Sequence, residues 1–352
     1  CKRYQEFPLD ISGTVARNGK EYIPNAIRHL MQSLDIYPFP DWELFKYEDL
    51  YDMKTHRRGI LTASRGCPYR CSFCSNDRYG DLYKGKGSFV RLKSVDYLIR
   101  EVKAMKKRYP AIEYLQFADD VLGSREDWME EFSEKWAREI GMDFYCNVNI
   151  NSVRTKTIRL LAKAGCRRIQ IGIETGNEKM RSELLKKPVK NEKIVQVCVE
   201  SSRCNIVVNS LNMIGLPYET EENILETIKF NAKIRPQLIQ CCIFYPFPNT
   251  NLYDYCIKNQ LIKGHDPMEM SDYFRESIIK NPYLSPEALH FYRDYFKTLV
   301  KIYQYVNIDW LIKCLPYRIL GKLLEPLKTK NELQKWLYKP RIKEPRPPSS
   351  GH

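Results

Sequence analysis

The chain has 352 residues and a formal net charge of +14, and 43% of its residues are hydrophobic. This composition excludes a disordered chain, and neither a signal peptide nor a run of about 18 uncharged apolar residues is visible, so we expect no transmembrane segment. Because the basic residues are spread along the sequence, without runs interleaved with aromatic residues, we interpret the charge as a solvated surface and expect no nucleic-acid partner.

The N-terminal part has little regular periodicity. Residues 37–45 (YPFPDWELF) are rich in proline and aromatic residues, which is typical of an extended segment laid over a surface. We therefore predict that residues 1–55 form a linker or N-terminal extension. The first residue is Cys1 and not Met, so we expect the sequence to start inside a longer protein.

Residues 56–262 alternate between short apolar runs and amphipathic helical patterns. The six predicted strands are GILTAS, AIEYLQF, DFYCNVNI, RRIQIGI, IVVNSLNMIG and LIQCCIFY. Ser124 with Asp127 predicts the start of one of the intervening helices, and Gly165 predicts the end of another. Such alternation favours parallel strands joined by right-handed crossovers. We predict an α/β fold, a partial (β/α)6 TIM-type barrel, with a doubly wound sheet as the alternative, and the site at the carboxyl ends of its strands.

The C-terminal part has helical patterns without strands. Ser285 followed by Pro286 is a helix start, and we predict a helical region over residues 263–340. The proline-rich residues 341–352 are expected to be a disordered tail.

Twelve cysteines occur in the chain. Seven lie inside apolar runs, where reduced thiols behave as small hydrophobic residues: Cys146, Cys166, Cys198, Cys204, Cys241, Cys242 and Cys256. This pattern favours a reduced protein in the cytoplasm over a disulfide-bonded secreted one.

Three further cysteines follow the first predicted strand with the spacing Cys-x3-Cys-x2-Cys: Cys67, Cys71 and Cys74. Three thiolates in one loop can bind three irons of a 4Fe-4S cluster, leaving the fourth iron open. Gly66 and Phe73 suit a tight loop and a shielded cluster edge. A structural zinc site is the alternative, but it usually has four ligands in two pairs, and the five histidines are not clustered.

The motif CPYRCSFC resembles that of the radical S-adenosylmethionine enzymes, and the resemblance covers roughly residues 55–260. Four more motifs fall at predicted strand ends: FADD (117–120), GIETGN (172–177), MIGLPYET (213–220) and YPFPNT (245–250). The resemblance implies a 4Fe-4S cluster and S-adenosylmethionine as cofactors. It also implies cofactor-binding positions at Phe73, Asp119, Asp120, Glu174, Glu219 and Tyr245; it assigns no catalytic residue.

These positions also have simpler interpretations. Asp119 and Asp120 are alternatively solvent-facing acids, Glu174 a salt-bridge partner of a Lys or Arg, and Glu219 an acid that favours the start of the next helix. Asn147 and Asn149 share one face of a strand, where they are site residues or structural links.

The resemblance implies that the reduced cluster cleaves S-adenosylmethionine to a 5′-deoxyadenosyl radical, which abstracts hydrogen from the substrate. An electron donor such as flavodoxin or ferredoxin and a small-molecule or lipid-like substrate are the implied partners.

The motifs SRGCPYRCSFCSN, GIETGN and GLPYET are typical of the cobalamin-associated branch of that family. Methylation of an unactivated carbon is therefore the leading hypothesis. No Asp-x-His-x-x-Gly cobalamin motif occurs in the chain, so cobalamin is either bound by a domain absent from this chain or not used. The branch usually has Gly where this chain has Tyr218 and Asn249; since Tyr adopts positive φ only at a cost, we expect a local difference in its loop.

Three alternatives remain open. One is a radical cyclase or oxidoreductase that uses no cobalamin. Another is RNA modification like that of the tRNA methylthiotransferases, whose additional cluster and RNA-binding domains are not recognisable here. The last is a non-enzymatic zinc or scaffold module.

Overall fold

The computed structural model describes residues 9–262 and 277–328. The predicted tail 341–352 and parts of the predicted extension and helical region lie outside them. The N-terminal segment contains the hairpin β1 (Val15–Asn18) and β2 (Glu21–Pro24), followed by α1 (Tyr51–His56). The hairpin was not predicted, although its two-residue turn begins with Gly19 at φ +60°, which is a hairpin signal.

Six strands form one parallel sheet, in the spatial order β3, β6, β7, β8, β9, β10. The strands are β3 (Arg58–Leu61), β6 (Tyr114–Phe117), β7 (Phe144–Val148), β8 (Cys166–Glu174), β9 (Val207–Ile214) and β10 (Leu238–Ile243). Between β3 and β6, the short β4 (Ser64–Arg65) and β5 (Arg91–Leu92) pair antiparallel. The strand order follows the chain order, which confirms the predicted partial (β/α)6 barrel.

The helices connect the strands and cover the outer face of the sheet. They are α2 (Ser75–Leu82), α3 (Val95–Arg108), α4 (Glu126–Glu139), α5 (Thr155–Ala164), α6 (Asn191–Arg203), α7 (Glu221–Ile234) and α8 (Asn251–Lys258). Gly165 ends α5 at φ +101°, as predicted. The predicted capping box at Ser124 is wrong: α4 starts after Arg125, whose guanidinium binds the Asp127 carboxylate that the box requires.

The two faces of the sheet differ in polarity. Ile169, Ile171 and Ile173 of β8 pack outward into the core beneath the helices. Arg168 and Gln170, which alternate with them, point to the inner face. The sequence analysis treated the six strands simply as apolar runs. That expectation was wrong for the inner face, because this face lines an interior and does not pack on helices.

The C-terminal helices extend the core beside β10. They are α9 (Pro286–Tyr303), α10 (Asp309–Cys314) and α11 (Tyr317–Leu324). Ser285 caps α9 as predicted, since its Oγ accepts the Ala288 N–H at 3.0 Å. Phe291, Tyr292 and Phe296 of α9 pack against side chains of α7 and β10. In residues 9–262 and 277–328, no helix combines the length and apolarity needed to cross a membrane.

The edge strands β3 and β10 are not paired with each other in the described part of the chain. Contacts between the segment after β3 and α8 bridge the gap. The Leu252 N–H donates to the Ser72 carbonyl at 2.7 Å, Asn251 donates to Asp77, and Arg78 pairs with Asp254. We call these three contacts the clasp.

Candidate functional site

The three clustered cysteines lie on a loop that leaves β4 at the carboxyl end of the sheet. Gly66 starts this loop at φ +83°, and a Cβ added there would lie 2.3 Å from the Phe89 carbonyl oxygen. Only glycine fits both the conformation and the space. The backbone therefore turns sharply just before Cys67.

The loop is short and tightly hydrogen-bonded. The Cys74 N–H donates to the Cys71 carbonyl at 3.1 Å, and Cys74 is the residue that caps the start of α2. Cys71 is buried, whereas Cys67 and Cys74 are partly exposed, and all three thiols are free. In the described ranges, no three His, Cys, Asp or Glu side chains are arranged around a single metal ion.

Burial raises the pKa of Cys67 to about 11 and that of Cys71 to about 12. The nearby Lys187 ammonium lowers both pKa values, while Asp120 raises that of Cys67 and Glu174 raises that of Cys71. The thiols are thus protonated at neutral pH without a metal. Because metals bind thiolates, cluster binding at this loop must release protons.

Neighbouring elements hold the cysteine loop in place. The Ser72 N–H donates to the Leu185 carbonyl at 3.0 Å, and Ser72 Oγ donates to the Leu184 carbonyl at 2.6 Å. Leu184 ends a π-helical turn, Met180–Leu184, that follows β8. On another side, the Tyr69 hydroxyl bonds Ser152, beyond the end of β7. The loop is therefore anchored to segments that follow β7 and β8.

Glu174, at the end of β8, forms a buried ion pair. Lys187 Nζ lies 2.7 Å from Glu174 Oε1 and 2.6 Å from the Gly172 carbonyl oxygen. A Cβ at Gly172 would lie 2.1 Å from Glu174 Oε1, so a larger residue there would have to displace the ion pair. The structure thus contains the salt bridge that the sequence analysis gave as the simpler interpretation. The ribose role of Glu174 stays a prediction.

The two acids after β6 occupy different environments. The Asp119 carboxylate is buried; it accepts the Ala63 N–H at 3.0 Å and also the Ser64 hydroxyl. Burial raises the pKa of Asp119, whereas these donors lower it. Asp119 therefore fixes the strand that leads to the cysteine loop, which differs from the predicted solvent-facing alternative. Asp120 is exposed and lies close enough to Cys67 to affect its pKa.

The other predicted cofactor residues lie near the ends of β9 and β10. Glu219 is fully buried, and its Oε2 accepts the N–H groups of Gly215 and Leu216 at 2.5 and 3.1 Å. Tyr245 is buried and packs edge-on against Phe247. Phe73 packs into a small apolar cluster that includes Leu185, Leu216, Phe244 and Leu252. No contact tests the cofactor roles of these three residues, and they stay predictions.

A chain of amides crosses the inner face of the sheet. Asn209 Nδ2 donates to Gln170 Oε1 at 3.0 Å, Gln170 Nε2 donates to Asn147 Oδ1 at 2.6 Å, and Asn147 Nδ2 donates to the Asp119 carbonyl at 3.0 Å. Since a carbonyl can only accept, Asp119 determines the orientation of all three amides. Asn209 Oδ1 is left buried without a partner. Asn147 is thus a link in this chain.

A cavity of about 710 Å³ lies beside the cysteine loop. Pro68, next to Cys67, lines it together with Asp35 of the N-terminal segment and Arg91 and Lys93 at β5. The side chains that line the cavity include both acidic and basic residues. The N-terminal segment therefore contributes to the space around the loop.

The sequence profile described as the Radical SAM superfamily matches residues 61–230. Residues 61–230 therefore form a radical SAM domain. The matched range begins at the end of β3 and includes the cysteine loop and the Glu174–Lys187 pair. The superfamily implies a 4Fe-4S cluster and S-adenosylmethionine.

Several curated proteins resemble this radical SAM chain. An uncharacterised methyltransferase of Pyrococcus horikoshii is 26% identical over 67% of the chain and 50% of its own length. The anaerobic magnesium-protoporphyrin IX monomethyl ester cyclase of Rubrivivax gelatinosus is 22% identical over 71% of the chain and 42% of its length. The chain thus spans about half the length of the curated relatives it matches.

Solved structures of radical SAM proteins share the fold. The cobalamin-dependent S-adenosylmethionine radical enzyme OxsB matches with a TM-score of 0.63 and 16% identity, over 91% of this chain and 52% of its own. The radical S-adenosylmethionine methyltransferase TsrM of Kitasatospora setae matches with a TM-score of 0.57 and 14% identity, over 71% and 49%. At these identities, the similarity establishes the fold.

The donor set of the loop fits a radical SAM cluster. Three free thiols lie on one loop, and the nearest charged groups include a single ammonium, that of Lys187, which affects the pKa of both Cys67 and Cys71. A cluster bound at three corners requires three thiolates and an open position. Sequence reasoning missed Lys187, because a lysine in a turn carries no motif.

Proposed function

We propose that this chain is the radical-generating part of an enzyme that methylates or otherwise modifies an unactivated carbon of a small-molecule or lipid-like substrate. The observation that carries the proposal is the loop of three free thiols at the carboxyl edge of a parallel sheet. When bound, a reduced 4Fe-4S cluster supplies the electron that cleaves S-adenosylmethionine to a radical. Flavodoxin or ferredoxin is the proposed class of reductant.

The residues of the chain prepare the site for this chemistry. Cys67, Cys71 and Cys74 hold the cluster, and Lys187 lowers the pKa of two of these thiols, which favours the thiolates. Glu174, which is paired with Lys187 through Oε1, lies close enough to Cys71 to affect its pKa and is proposed to contact the polar part of S-adenosylmethionine. The amide chain, which includes Asn209, lies on the inner face of the sheet, where a polar substrate group can bind.

Cobalamin is part of the proposal only through sequence outside this chain. Relatives named as methyltransferases and the cobalamin-dependent OxsB support it; any cobalamin is proposed to be bound by residues other than 1–352. The match to the magnesium-protoporphyrin cyclase supports the second candidate, a radical cyclisation without methyl transfer. The cytoplasm is the proposed location, since the eleven cysteines of the described residues are all free.

Replacement of one cluster ligand tests the proposal. In protein reconstituted without oxygen, Cys71→Ala should abolish most of the iron bound per chain and reduce 5′-deoxyadenosine release with dithionite at least about a hundredfold, because two thiolates do not hold a cubane. Cys198→Ala, which removes another buried free thiol from α6, should behave as the wild type.

The wild-type cluster, after reduction with dithionite, should give an electron paramagnetic resonance signal that changes when S-adenosylmethionine is added. Stoichiometric zinc in place of iron, or a cluster with four protein ligands, would contradict the proposal. A gain of bound cobalamin when the natural upstream sequence is included favours methyl transfer over cyclisation.

A further inference from the structure

The end of the described chain presents an unusual surface. Six large apolar side chains are exposed between residues 305 and 327: Tyr305, Val306, Trp310, Ile319, Leu323 and Leu327. Trp310 and Tyr305 are 67% and 81% exposed, which is uncommon for large aromatic residues. Ordinary core packing does not explain them, because Ile312, Leu320 and Leu324 already supply the buried faces of α10 and α11.

The exposed surface of α11 consists of an apolar stripe and a basic stripe. Leu320 and Leu324 face the core, while Ile319 and Leu323 form an exposed apolar stripe one residue before each of them. Arg318 and Lys322 form a basic stripe beside it, at the same i, i+4 spacing. An exposed helix face that is half apolar and half basic is typical of segments lying in a membrane interface.

The net charge of the C-terminal helices indicates which kind of surface they can bind. Residues 301–328 contain five Lys or Arg and two Asp or Glu. Both acids are engaged within the protein: Asp309 with Lys229 at 2.6 Å, and Glu325 with Lys328 at 3.3 Å. The outward charge is therefore positive.

The N-terminal segment provides an internal comparison. Residues 9–50 also expose ten large apolar side chains, Leu44 and Phe45 among them at 73% and 66% exposure. That segment, however, contains seven acidic and four basic residues. An anionic surface would therefore repel the N-terminal segment but attract the C-terminal helices.

A groove of about 400 Å³ lies between α9 and α11, beside the basic stripe. The aromatic side chains of Phe291, Tyr295 and Tyr317 line it, and Arg318 and Lys322 lie at its border. Glu287 and Glu325 also line the groove, so its apolar walls are bordered by both acidic and basic groups, and the proposal below rests on the exposed face of the helices instead.

We propose that the exposed face of α10 and α11 binds the surface of an anionic lipid membrane. Trp310, Ile319 and Leu323 enter the interface, and Arg318 and Lys322 contact the lipid phosphates. The helices lie on the membrane and do not cross it. The proposal is independent of the radical chemistry, and it would place the barrel next to lipid.

Vesicle flotation of the full chain with its cluster reconstituted tests this proposal. Vesicles of phosphatidylcholine with about 30% phosphatidylglycerol should bind the protein, pure phosphatidylcholine vesicles should bind it at least about tenfold more weakly, and about 0.5 M NaCl should release it. The double variant Arg318→Gln/Lys322→Gln should lose about fivefold in affinity for each cation. The variant Ile319→Ser/Leu323→Ser should lose at least about tenfold.

The matched control is Leu44→Ser/Phe45→Ser, which removes equally exposed apolar side chains from the acidic segment and should bind as the wild type. In addition, the fluorescence shift to shorter wavelength on adding vesicles should disappear in Trp310→Phe. Circular dichroism must show that each variant is folded.

Failure of the wild type to bind anionic vesicles would overturn the proposal, as would unchanged binding of both C-terminal double variants. If these variants instead abolish self-association of the chain without affecting flotation, the face is a protein interface and the proposal is wrong. Flotation does not depend on S-adenosylmethionine cleavage, so a failure of the proposed radical chemistry would leave these binding results unchanged.

Discussion

At the scale of single residues, the two positions at which the cobalamin-associated branch usually has glycine keep a glycine-like backbone conformation. Tyr218 has φ +59° and Asn249 has φ +60°. The sequence analysis expected the Tyr218 loop to differ locally, but its backbone is in the left-handed region that glycine favours. The Tyr218 ring lies near Tyr283, and the loop is held by the buried Glu219. A neighbouring side chain thus enforces a conformation that the residue itself disfavours.

Glu219 makes the stability of the protein depend on pH. Burial raises the pKa of Glu219 to about 8, although the N–H groups of Leu216 and Gly215 lower it. The folded state therefore keeps a proton that the unfolded state releases above its own pKa of about 4.3. The contribution of Glu219 to the free energy of unfolding should be highest below that pH and should be lost as the pH rises through about 8, by a few kcal/mol in total.

We predict that Glu219→Gln removes most of this dependence, because its amide carries no titrating proton. Urea unfolding of wild type and variant between about pH 5 and pH 9 measures it. The exposed Glu222→Gln is the control and should follow the wild type. Parallel pH profiles for wild type and Glu219→Gln would show that the carboxyl is not buried as described.

Residue roles were only partly predictable. The cysteines could be named from their spacing, because thiol spacing alone restricts what they can bind. The partner of Glu174 could not be predicted from the sequence. Lys187 lies thirteen positions further along the chain, and the turn after β8 brings it back to Glu174. Tertiary ion pairs of this kind leave no local pattern.

At the scale of elements, the amide chain across β7, β8 and β9 is the main feature that periodicity did not reveal. The outward isoleucines made β8 appear apolar throughout. Asn147, Gln170 and Asn209 were visible as polar residues within strands, but only the strand register places them opposite one another. Register is a property of the assembled sheet, so the sequence of one strand cannot supply it.

Breaking the middle of this chain should destabilise the sheet. We predict that Gln170→Leu costs about 1–3 kcal/mol of unfolding free energy, because it leaves the Asn209 amide and the Asn147 oxygen unpaired in the interior. Gln240→Leu is the matched control: Gln240 is an exposed glutamine on the edge strand β10, and its replacement should cost less than about 0.5 kcal/mol. Urea unfolding measures both. Equal effects would mean that the amide chain adds no stability.

Helix ends were predicted with mixed success for one physical reason. Gly165 and Ser285 act through their own backbone or hydroxyl, and both predictions were confirmed. The capping box at Ser124 depended on the carboxylate of Asp127, which Arg125 binds instead. A capping box requires two free side chains, so it does not form when a neighbouring residue binds one of them.

At the scale of the whole molecule, the barrel is incomplete and the clasp closes its open side. The alternation of strands and helices was enough to predict six parallel strands and the edge that carries the site. It did not predict how the open side is bridged, because the contacts join residues near position 77 with residues near position 252. Only the curvature of the sheet brings these together.

The clasp should control access to the cysteine loop. Asp77 is buried and accepts hydrogen bonds from Arg70 at 3.0 Å and from Asn251. We predict that Asp77→Ala lowers the free energy of unfolding by about 1–3 kcal/mol, because it leaves the Asn251 amide unpaired. It should also increase, several-fold, the rate at which a chelator removes iron from the reconstituted protein.

Absorbance of the iron–chelator complex measures that rate. The control is Asp96→Ala, which removes an acid paired with Lys135 on an exposed helix surface and should change neither quantity appreciably. Iron release from Asp77→Ala at the wild-type rate would show that the clasp does not guard the loop.

The anchoring of the loop has a consequence for the geometry of the three thiols. Its hydrogen bonds to Leu184, Leu185 and Leu252 join protein groups only. These bonds tie the position of the three thiols to the folding of the surrounding barrel. A change that loosens the turn after β8 would therefore also disturb the spacing of the thiols.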